Sequence, residues 1–385
     1  MPDNSAQTSA RPIHVMHVVR RGFAGGGMEN GIINVANRLP VDRFKVSLCA
    51  LDSEETFSKA IKRSDSEFHL LPKKGSGIDW SLVTKLSKLF KDRNVDVVHS
   101  HNWGTFIYSV LGAKLAGMRI IHGEHGKNPD EMGKESSVRR FTKSQLGRRR
   151  NLLTTVSQTI ANEWASEYGI PREKIQWIPN GVDSDRFGPK TDKAQLRVGL
   201  GLPPTASVLG TVGRLDSLKN VEVLIDAFAS IAAKLPTAYL ILAGTGPSEP
   251  SLRKLAADSG FAERIKFLGH RSDTPEIFAA MDTFVLPSRF EGMSNVLLEA
   301  MASGLAVVCA DLPAHREVFM PDKEGMLVSP CDAATLANTL AQLLAQPEQR
   351  ARLGAAARER ILKDFDLMRM AQAYEHSYLS ALRNA

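Results

Sequence analysis

Cysteine is nearly absent. The chain has three in 385 residues, Cys49, Cys309 and Cys331, set far apart with no Cys-x-x-Cys pair and no Cys/His cluster. That excludes a disulfide framework and a structural zinc site, fits a reducing compartment, and leaves the three as small core residues. Long apolar runs are missing too, since none approaches the ~18 residues of a membrane span. The first twelve residues, with Pro2, Asp3 and Pro12, hold no apolar stretch able to serve as a signal peptide. They read as a disordered lead-in to a cytoplasmic protein. Aromatic residues make up only 6% and do not interleave with the basic clusters, which argues against nucleic acid as a partner. No low-complexity tract and no solenoid repeat interrupts the pattern.

What is present is material for two cores. A length of 385 residues with 43% apolar content suits two domains better than one. The formal charge of +7 is unevenly placed. Residues 1–190 carry 29 Lys+Arg against 20 Asp+Glu, an excess of +9, whereas residues 191–385 carry 20 against 22, a balance of −2. The halves are therefore expected to meet different partners.

Short β-branched runs alternate with amphipathic stretches, which predicts an α/β chain with parallel sheets and helical crossovers. In the first half the predicted strands are Ile13–Val19, Lys45–Leu51, Phe68–Leu71, Val95–Ser100, Arg119–His122 and Leu152–Val156. The helices between them are Met28–Leu39, Trp80–Asp92, Phe106–Leu115 and Gln158–Tyr168. The rhythm restarts in the second half, with strands Val208–Val212, Tyr239–Ala243, Ile265–Leu268, Thr283–Leu286 and Ala306–Ala310. Its helices are Val221–Lys234, Pro250–Ser259, Thr274–Met281, Asn295–Ala302, Ala333–Ala345 and Leu367–Leu382. The Pro- and Gly-containing break at Pro179–Pro189 reads as a linker and rules out the even count of a barrel, leaving two doubly wound domains.

Three loops carry chemistry. Gly25-Gly26-Gly27-Met28-Glu29 follows the first strand and opens the first helix, where free N–H groups and the dipole suit a phosphate or sugar. Asp52 ends the second strand where a nicotinamide-binding domain holds a ribose, but the glycine spacing is not Gly-x-Gly-x-x-Gly, and a merely tight turn is the other reading. Gly213 to Asn220, past the first strand of the second half, holds Arg214 and Lys219, two cations able to converge on a pyrophosphate. Glu291 to Glu299 places two carboxylates eight residues apart on a Gly-containing loop and the helix it opens. They suit sugar and ribose hydroxyls, with the N–H groups of Met293, Ser294 and Asn295 available to phosphate oxygens. The alternative is a helix-dipole Glu and a surface Glu. Asp183-Ser-Asp185 and Asp364-Phe-Asp366 are read as turn and capping carboxylates rather than metal ligands.

Together these strings resemble the family 4 glycosyltransferases. The resemblance rests on Glu291-x7-Glu299, with Pro-Ser-Arg-Phe before it and Ala-Met-Ala-Ser-Gly after it, and on Val212-Gly213-Arg214-Leu215 with Lys219-Asn220. It extends to Ala243-Gly244-Thr245-Gly246-Pro247, Phe267-Leu268-Gly269 and Ile178-Pro179-Asn180-Gly181-Val182-Asp183. The opening His17-Val18-Val19 with the Gly26-Gly27 segment, and His122-Gly123-Glu124-His125-Gly126, are similar to a bacterial subgroup associated with exopolysaccharide and exosortase loci. The resemblance implies a GT-B fold, two Rossmann-like domains facing across a cleft. Residues 1–185 would form the acceptor side and 190–366 the nucleotide-sugar side, with a final helix, 367–385, packed back on the first.

The same resemblance implies a retaining, metal-independent hexosyltransferase. Its donor would be a nucleoside diphosphate sugar, with a UDP-sugar expected, and its acceptor a glycan or a lipid-linked glycan in cell-surface polysaccharide or glycolipid synthesis. Arg214 and Lys219 would neutralise the diphosphate, Glu299 would take the ribose hydroxyls, and Glu291 the sugar hydroxyls beside Gly292, Met293, Ser294 and Asn295. Gly244, Gly246, Leu268 and Gly269 would border the base. Gly26 and Gly27 would approach the diphosphate from the opposite side, and His125 would stand near the reacting centre. His101 and Asn102, ending a strand, are weaker acceptor-side candidates. Arg139, Arg140, Lys143, Arg148, Arg149 and Arg150 crowd into twelve residues without an acid, either a solvated helix face or an address for anionic lipid on the inner face of the cytoplasmic membrane. No cofactor and no metal is expected. The competing functions are a sugar-nucleotide epimerase, a non-catalytic sugar-nucleotide sensor and a nicotinamide oxidoreductase.

Overall fold

A computed structural model describes residues 11–22, 26–54, 56–75, 77–126, 135–148 and 152–383. Among them the strands form two wholly parallel sheets. The first takes β1 (Ile13–Gly22), β2 (Phe44–Glu54), β3 (Glu67–Leu70), β4 (Val97–His101), β5 (Arg119–Glu124), β6 (Leu152–Thr155) and β7 (Ile175–Trp177), in the order β3-β2-β1-β4-β5-β6-β7. The second takes β8 (Ser207–Val212), β9 (Ala238–Ala243), β10 (Ile265–Gly269), β11 (Thr283–Leu286), β12 (Ala306–Ala310) and β13 (Met326–Val328), in the order β10-β9-β8-β11-β12-β13. Both faces of each sheet are covered, which is why the strands are continuous apolar runs such as the buried Leu240–Ala243. Chain order reverses between β1 and β4 and again between β8 and β11, the places where open α/β sheets receive ligands.

In the first half the helices are α1 (Gly27–Arg38), α2 (Phe57–Ala60), α3 (Ser81–Asp92), α4 (Trp103–Ala116), α5 (Ser137–Gly147) and α6 (Gln158–Tyr168). In the second they are α7 (Lys193–Gly199), α8 (Val221–Ala232), α9 (Glu249–Asp258), α10 (Thr274–Ala280), α11 (Asn295–Ala302), α12 (Pro313–Val318), α13 (Ala333–Ala345) and α14 (Pro347–Asp364). The last, α15 (Leu367–Arg383), returns to the first sheet. Its Leu367, Met370, Tyr374 and Tyr378 pack with Val15, Ile32, Val35, Phe44 and Val97 in one apolar cluster. The spacing Leu367, Met370, Ala371, Tyr374, Tyr378 is one stripe of a 3.6-residue helix.

The chain crosses between the halves twice, and the crossings lie side by side. Val182 donates to the Phe365 carbonyl at 2.9 Å, and Leu367 donates back to the Val182 carbonyl at 3.1 Å. Farther along, the Glu317 carboxylate of α12 accepts from the N–H groups of Gln158 (2.6 Å) and Thr159 (2.7 Å) at the N-terminus of α6, satisfying orphan donors of that helix.

Several elements exceed the sequence expectation. β7 and β13 are three-residue edge strands, too short for alternation to register. The 18-residue α14 is rich in Arg, Ala and Glu, and its inward side is only Leu353, Gly354, Ala357 and Ile361. The interval of four between Leu353, Ala357 and Ile361, with Pro347 opening the helix, is the signal that identifies it. Cys49 and Cys309 are buried as expected, but Cys331 is exposed, in a left-handed turn at φ 65°. No helix of the described residues is long and apolar enough to cross a membrane.

Candidate active site

The loop after β8 is shaped by a buried aspartate. One Asp216 carboxylate oxygen accepts from the N–H groups of Leu218 (3.0 Å) and Lys219 (3.2 Å), and the other pairs with the Arg214 guanidinium at 2.6 Å. Arg214 keeps 59% of its side chain exposed, so its remaining donors face outward. Lys219 instead reaches across to the loop after β11, where its Nζ lies 2.6 Å from Glu291 Oε1. The Ser288 hydroxyl donates to the same oxygen at 2.7 Å. Burial pushes the Glu291 carboxyl up, but the Lys219 ammonium and these hydrogen bonds outweigh it and hold the group below its ordinary value, hence ionised. Asn220, at φ 53°, ties the two loops further by donating to the Pro287 carbonyl (3.1 Å) and accepting from Arg289.

Glu299 sits one turn into α11. Burial raises its carboxyl to about 7, only partly opposed by Arg186. Nearby, Ser294 Oγ, Asn295 Oδ1 and His315 Nε2 are buried without a hydrogen-bond partner. Such unmet polar atoms are uncommon in folded chains; His315 lies close enough to Glu291 and Lys219 to feel their charges, and Ser294 and Asn295 open α11.

The loop Ala243-Gly244-Thr245-Gly246 lies against the Arg214 loop, with Gly213 donating to the Ala243 carbonyl and Leu215 to that of Thr245, both at 2.9 Å. A side chain at Gly244 would collide with the Gly213 carbonyl, and Gly244 adopts φ 132°. One at Gly246 would collide with the Leu215 carbonyl. These glycines are thus required first by the meeting of two backbones. Gly244 also donates to the Gly269 carbonyl at 2.8 Å, which brings the Leu268–Gly269 turn alongside.

Across the cleft, Gly26 and Gly27 begin α1, and the Gly27 carbonyl accepts from the Asn295 amide at 2.9 Å. A Cβ at Gly292 would stand 2.6 Å from the His125 carbonyl, so glycine there lets the two halves touch. Asn180 bridges as well, donating to the Met293 carbonyl at 3.3 Å. The three loops and His125 therefore lie where the halves meet, with Gly27 against Asn295 and Gly126 against Gly292.

His125 lies partly exposed past β5. Its backbone N–H donates to Asn102 Oδ1 (2.9 Å), and its Nε2 meets His101 Nδ1 at 3.0 Å. His101 is buried, 2% exposed, and with Asn102 it holds His125 from behind. Behind them stand His17 and His99, paired in register on β1 and β4. Sequence reasoning did not single these two out. The His99-x-His101 alternation places both rings on one face of β4 and is the signal for the cluster. Ser288 and Asn180 were also overlooked as site-forming residues, because a lone serine and a linker asparagine carry no spacing signal.

The basic patch is not one surface. Lys143 is buried, its ammonium 2.9 Å from Glu135 and 3.1 Å from the Tyr168 hydroxyl, and it lies over the Trp164 and Tyr168 rings. Arg139 pairs with Glu135 at 3.1 Å and covers the Trp103 ring. Glu135, just upstream of the twelve-residue run, is what turns these two cations inward. Arg140 and Arg148 are exposed and donate to carbonyls at the end of α6, those of Glu167 and Gly169. Arg149 and Arg150 lie outside the described residues, as does Gly25. Asp183 and Asp366 each accept from a backbone N–H two or three residues on, as turn carboxylates do, and Asp52 pairs with Arg20 at 2.9 Å.

A family model described as Glycosyltransferase Family 4 matches residues 25–186, and one described as Glycosyl transferases group 1 matches residues 192–360. The GDP-mannose-dependent monoacylated alpha-(1-6)-phosphatidylinositol monomannoside mannosyltransferase of Corynebacterium glutamicum is 31% identical over 291 residues, 72% of this chain and 74% of that one. The chain belongs to the family 4 glycosyltransferases. The transferase is also 29% identical, over 80% of its length and 81% of the relative's, to the UDP-Gal:alpha-D-GlcNAc-diphosphoundecaprenol alpha-1,3-galactosyltransferase of Escherichia coli. Among solved structures, that of Anabaena HepE in complex with UDP superposes on 96% of the transferase and all of the other chain, with a TM-score of 0.82 at 23% identity. The shared architecture is GT-B, two Rossmann-like halves about a cleft.

Proposed function

We propose that this glycosyltransferase moves a sugar from a UDP-sugar to a glycan or lipid-linked acceptor of the cell surface, with retention of configuration and without a metal. The observation that carries this reading is the Lys219–Glu291–Ser288 network with Arg214 beside it, at the point where the second sheet reverses and opposite the N-terminus of α1. Support for the uridine nucleotide comes from the UDP-bound neighbour and the UDP-Gal-named relative; support for a lipid-linked acceptor comes from the names of both relatives.

In the proposed reaction the acceptor hydroxyl oxygen bonds to the anomeric carbon on the face the diphosphate leaves. The carbon–oxygen bond to phosphate breaks, and a phosphate oxygen takes the hydroxyl proton. Negative charge grows on the diphosphate, and fixed cations at Arg214 and Lys219 stabilise that state more than the ground state. Both contacts to Glu291 fall on Oε1, which leaves Oε2 for a sugar hydroxyl, and Glu299 accepts from the ribose.

A thermal-shift panel of UDP-, GDP- and ADP-sugars tests the donor. One UDP-sugar should raise the melting temperature most, by mass action, and a stronger shift with a GDP- or ADP-sugar overturns the base assignment. Transfer with that donor should persist in EDTA, whereas loss restored by Mg²⁺ contradicts the metal-free reading. Conversion of the donor with no acceptor present would mark an epimerase instead.

We further propose that α5 rests on an anionic membrane surface. Val138 (73%) and Phe141 (66%) are exposed on the same helix as Arg140, and Arg148 follows its end. Apolar side chains projecting beside cations are the pattern of an interfacial helix.

A further inference from the structure

The floor of the first-half cleft is a row of imidazoles. His17 Nδ1 lies 3.0 Å from His101 Nε2, and His101 Nδ1 lies 3.0 Å from His125 Nε2. Burial keeps all three rings neutral, pushing His17 and His125 down to about 3 and His101 well below the ordinary 6.5. Each ring therefore carries one proton, and each hydrogen bond needs one N–H and one bare nitrogen. Only two arrangements satisfy both bonds. In one, His17 donates to His101 and His101 donates to His125, which leaves the proton of His125 on Nδ1. In the other every proton sits on Nε2, His125 donates inward, and its Nδ1 is bare. The three rings change together or a bond is lost.

The far end decides between them. His17 Nε2 is buried without a partner, and His17 helps line a cavity of about 10 Å³ together with Ile32, Val35, Asn180, Tyr374 and the other histidines of the cluster. A buried N–H with no acceptor is the rarer and costlier orphan, so the proton of His17 belongs on Nδ1. We propose that His17 and His101 are positioning residues that fix the tautomer of His125, holding its proton on Nδ1 so that a neutral ring presents an N–H to a sugar hydroxyl or phosphate oxygen. What that N–H meets rests on the transfer reaction proposed above; the tautomer does not. Nitrogens of His17, His99 and His101 also lie within 4.8 Å of one another, close enough to hold a metal. Both nitrogens of His101 are already engaged, however, and His99 uses Nδ1 on the Tyr378 hydroxyl at 2.9 Å, which leaves at most two ring nitrogens for a metal, Nε2 of His17 and of His99.

The test reads the proton directly. In ligand-free protein labelled with ¹⁵N-histidine at pH 7.5, two-bond imidazole correlations report which nitrogen of each ring is protonated, and His125→Asn identifies the signal of His125 by its loss. The native chain should show His125 as the Nδ1–H form. His17→Asp, which puts an acceptor in place of the donor at the far end, should turn His101 over and shift His125 toward the Nε2–H form, and His101→Glu, whose carboxylate can only accept from His125 Nε2, should do the same if the first variant folds poorly. Tyr378→Phe keeps the ring edge against His17 and removes only the hydroxyl bonded to His99, so it should leave the signal in place. An Nε2–H His125 in the native chain, or an Nδ1–H form unmoved in both variants, overturns the proposal. So does stoichiometric uptake of Co²⁺ with loss of the His17, His99 and His101 signals, which would make the cluster a metal site. None of these readings needs a sugar donor, so failure of the tautomer and failure of the transfer reaction are distinguishable.

Discussion

Lys219 holds two positions in one residue. It keeps Glu291 ionised, and it is the cation placed at the leaving diphosphate. Lys219→Ala should therefore lower kcat/KM by at least ~2 kcal/mol, about 30-fold, while leaving Glu291 buried without its partner. Turnover within a few-fold of native, with the correct donor, would remove Lys219 from the chemistry. Glu299 makes a second prediction through its proton. Its carboxyl is held to about 7 in the folded chain against an ordinary 4.5. The folded state thus binds that proton more tightly, so the group's stabilisation is complete below 4.5 and is lost as pH rises through 7. Ribose hydroxyls donate to the ionised form, so nucleotide affinity should climb over the same interval. Titration calorimetry between pH 5.5 and 8.5 should show that rise in the native chain and a flat, weaker profile in Glu299→Gln. An equal slope in both would assign the proton elsewhere. At this scale the sequence was informative where two side chains share a motif, as Glu291 and Glu299 do. It was silent where partners are distant in the chain: Glu135 turning Lys143 inward, and Tyr378 meeting His99, are long-range pairings that no local spacing encodes.

Elements carry a different kind of evidence. Strand and helix alternation was readable because buried parallel strands are apolar throughout and their crossovers are amphipathic. It faded for α14, whose inward face is only Leu353, Gly354, Ala357 and Ile361, and for the edge strands β7 and β13. The C-terminal α15 was legible from its stripe of Leu367, Met370, Tyr374 and Tyr378, and the packing gives it weight. Tyr378 is fully buried and donates its hydroxyl to, or accepts from, His99 while its ring meets Phe44. Tyr378→Ala should cost about 3–5 kcal/mol as a large-to-small change in a packed core. Urea unfolding measures it, and a loss below ~1 kcal/mol would show that α15 is only loosely laid on the sheet.

For the whole molecule, the two switch points are set face to face, and beside them the Asn295 amide meets the Gly27 carbonyl and the Gly292 backbone meets that of His125. Neither was readable beforehand, since the sequence shows each glycine loop but not which loop it meets. The charge asymmetry persists at this scale in thinner form, because Lys143 and Arg139 are taken up by Glu135. If α5 is the membrane-facing element, Val138→Ser with Phe141→Ser should weaken sedimentation with anionic liposomes at every salt concentration. Arg140→Glu with Arg148→Glu should weaken it chiefly at low salt, since surface charge is screened. Equal sedimentation of all three proteins would leave the face as ordinary surface.

The return of α15 also has a consequence in time. A chain emerges from the ribosome in order, and its first half would ordinarily be the first to fold. Here the apolar bed formed by Val15, Ile32, Phe44 and Val97, and the histidines beneath the cleft, wait for Leu367–Tyr378, which are synthesised after the entire second half. The half made first is the one finished last, so synthesis that stops short of α15 leaves a uniformly present but uncovered sheet, a natural substrate for chaperones and proteases.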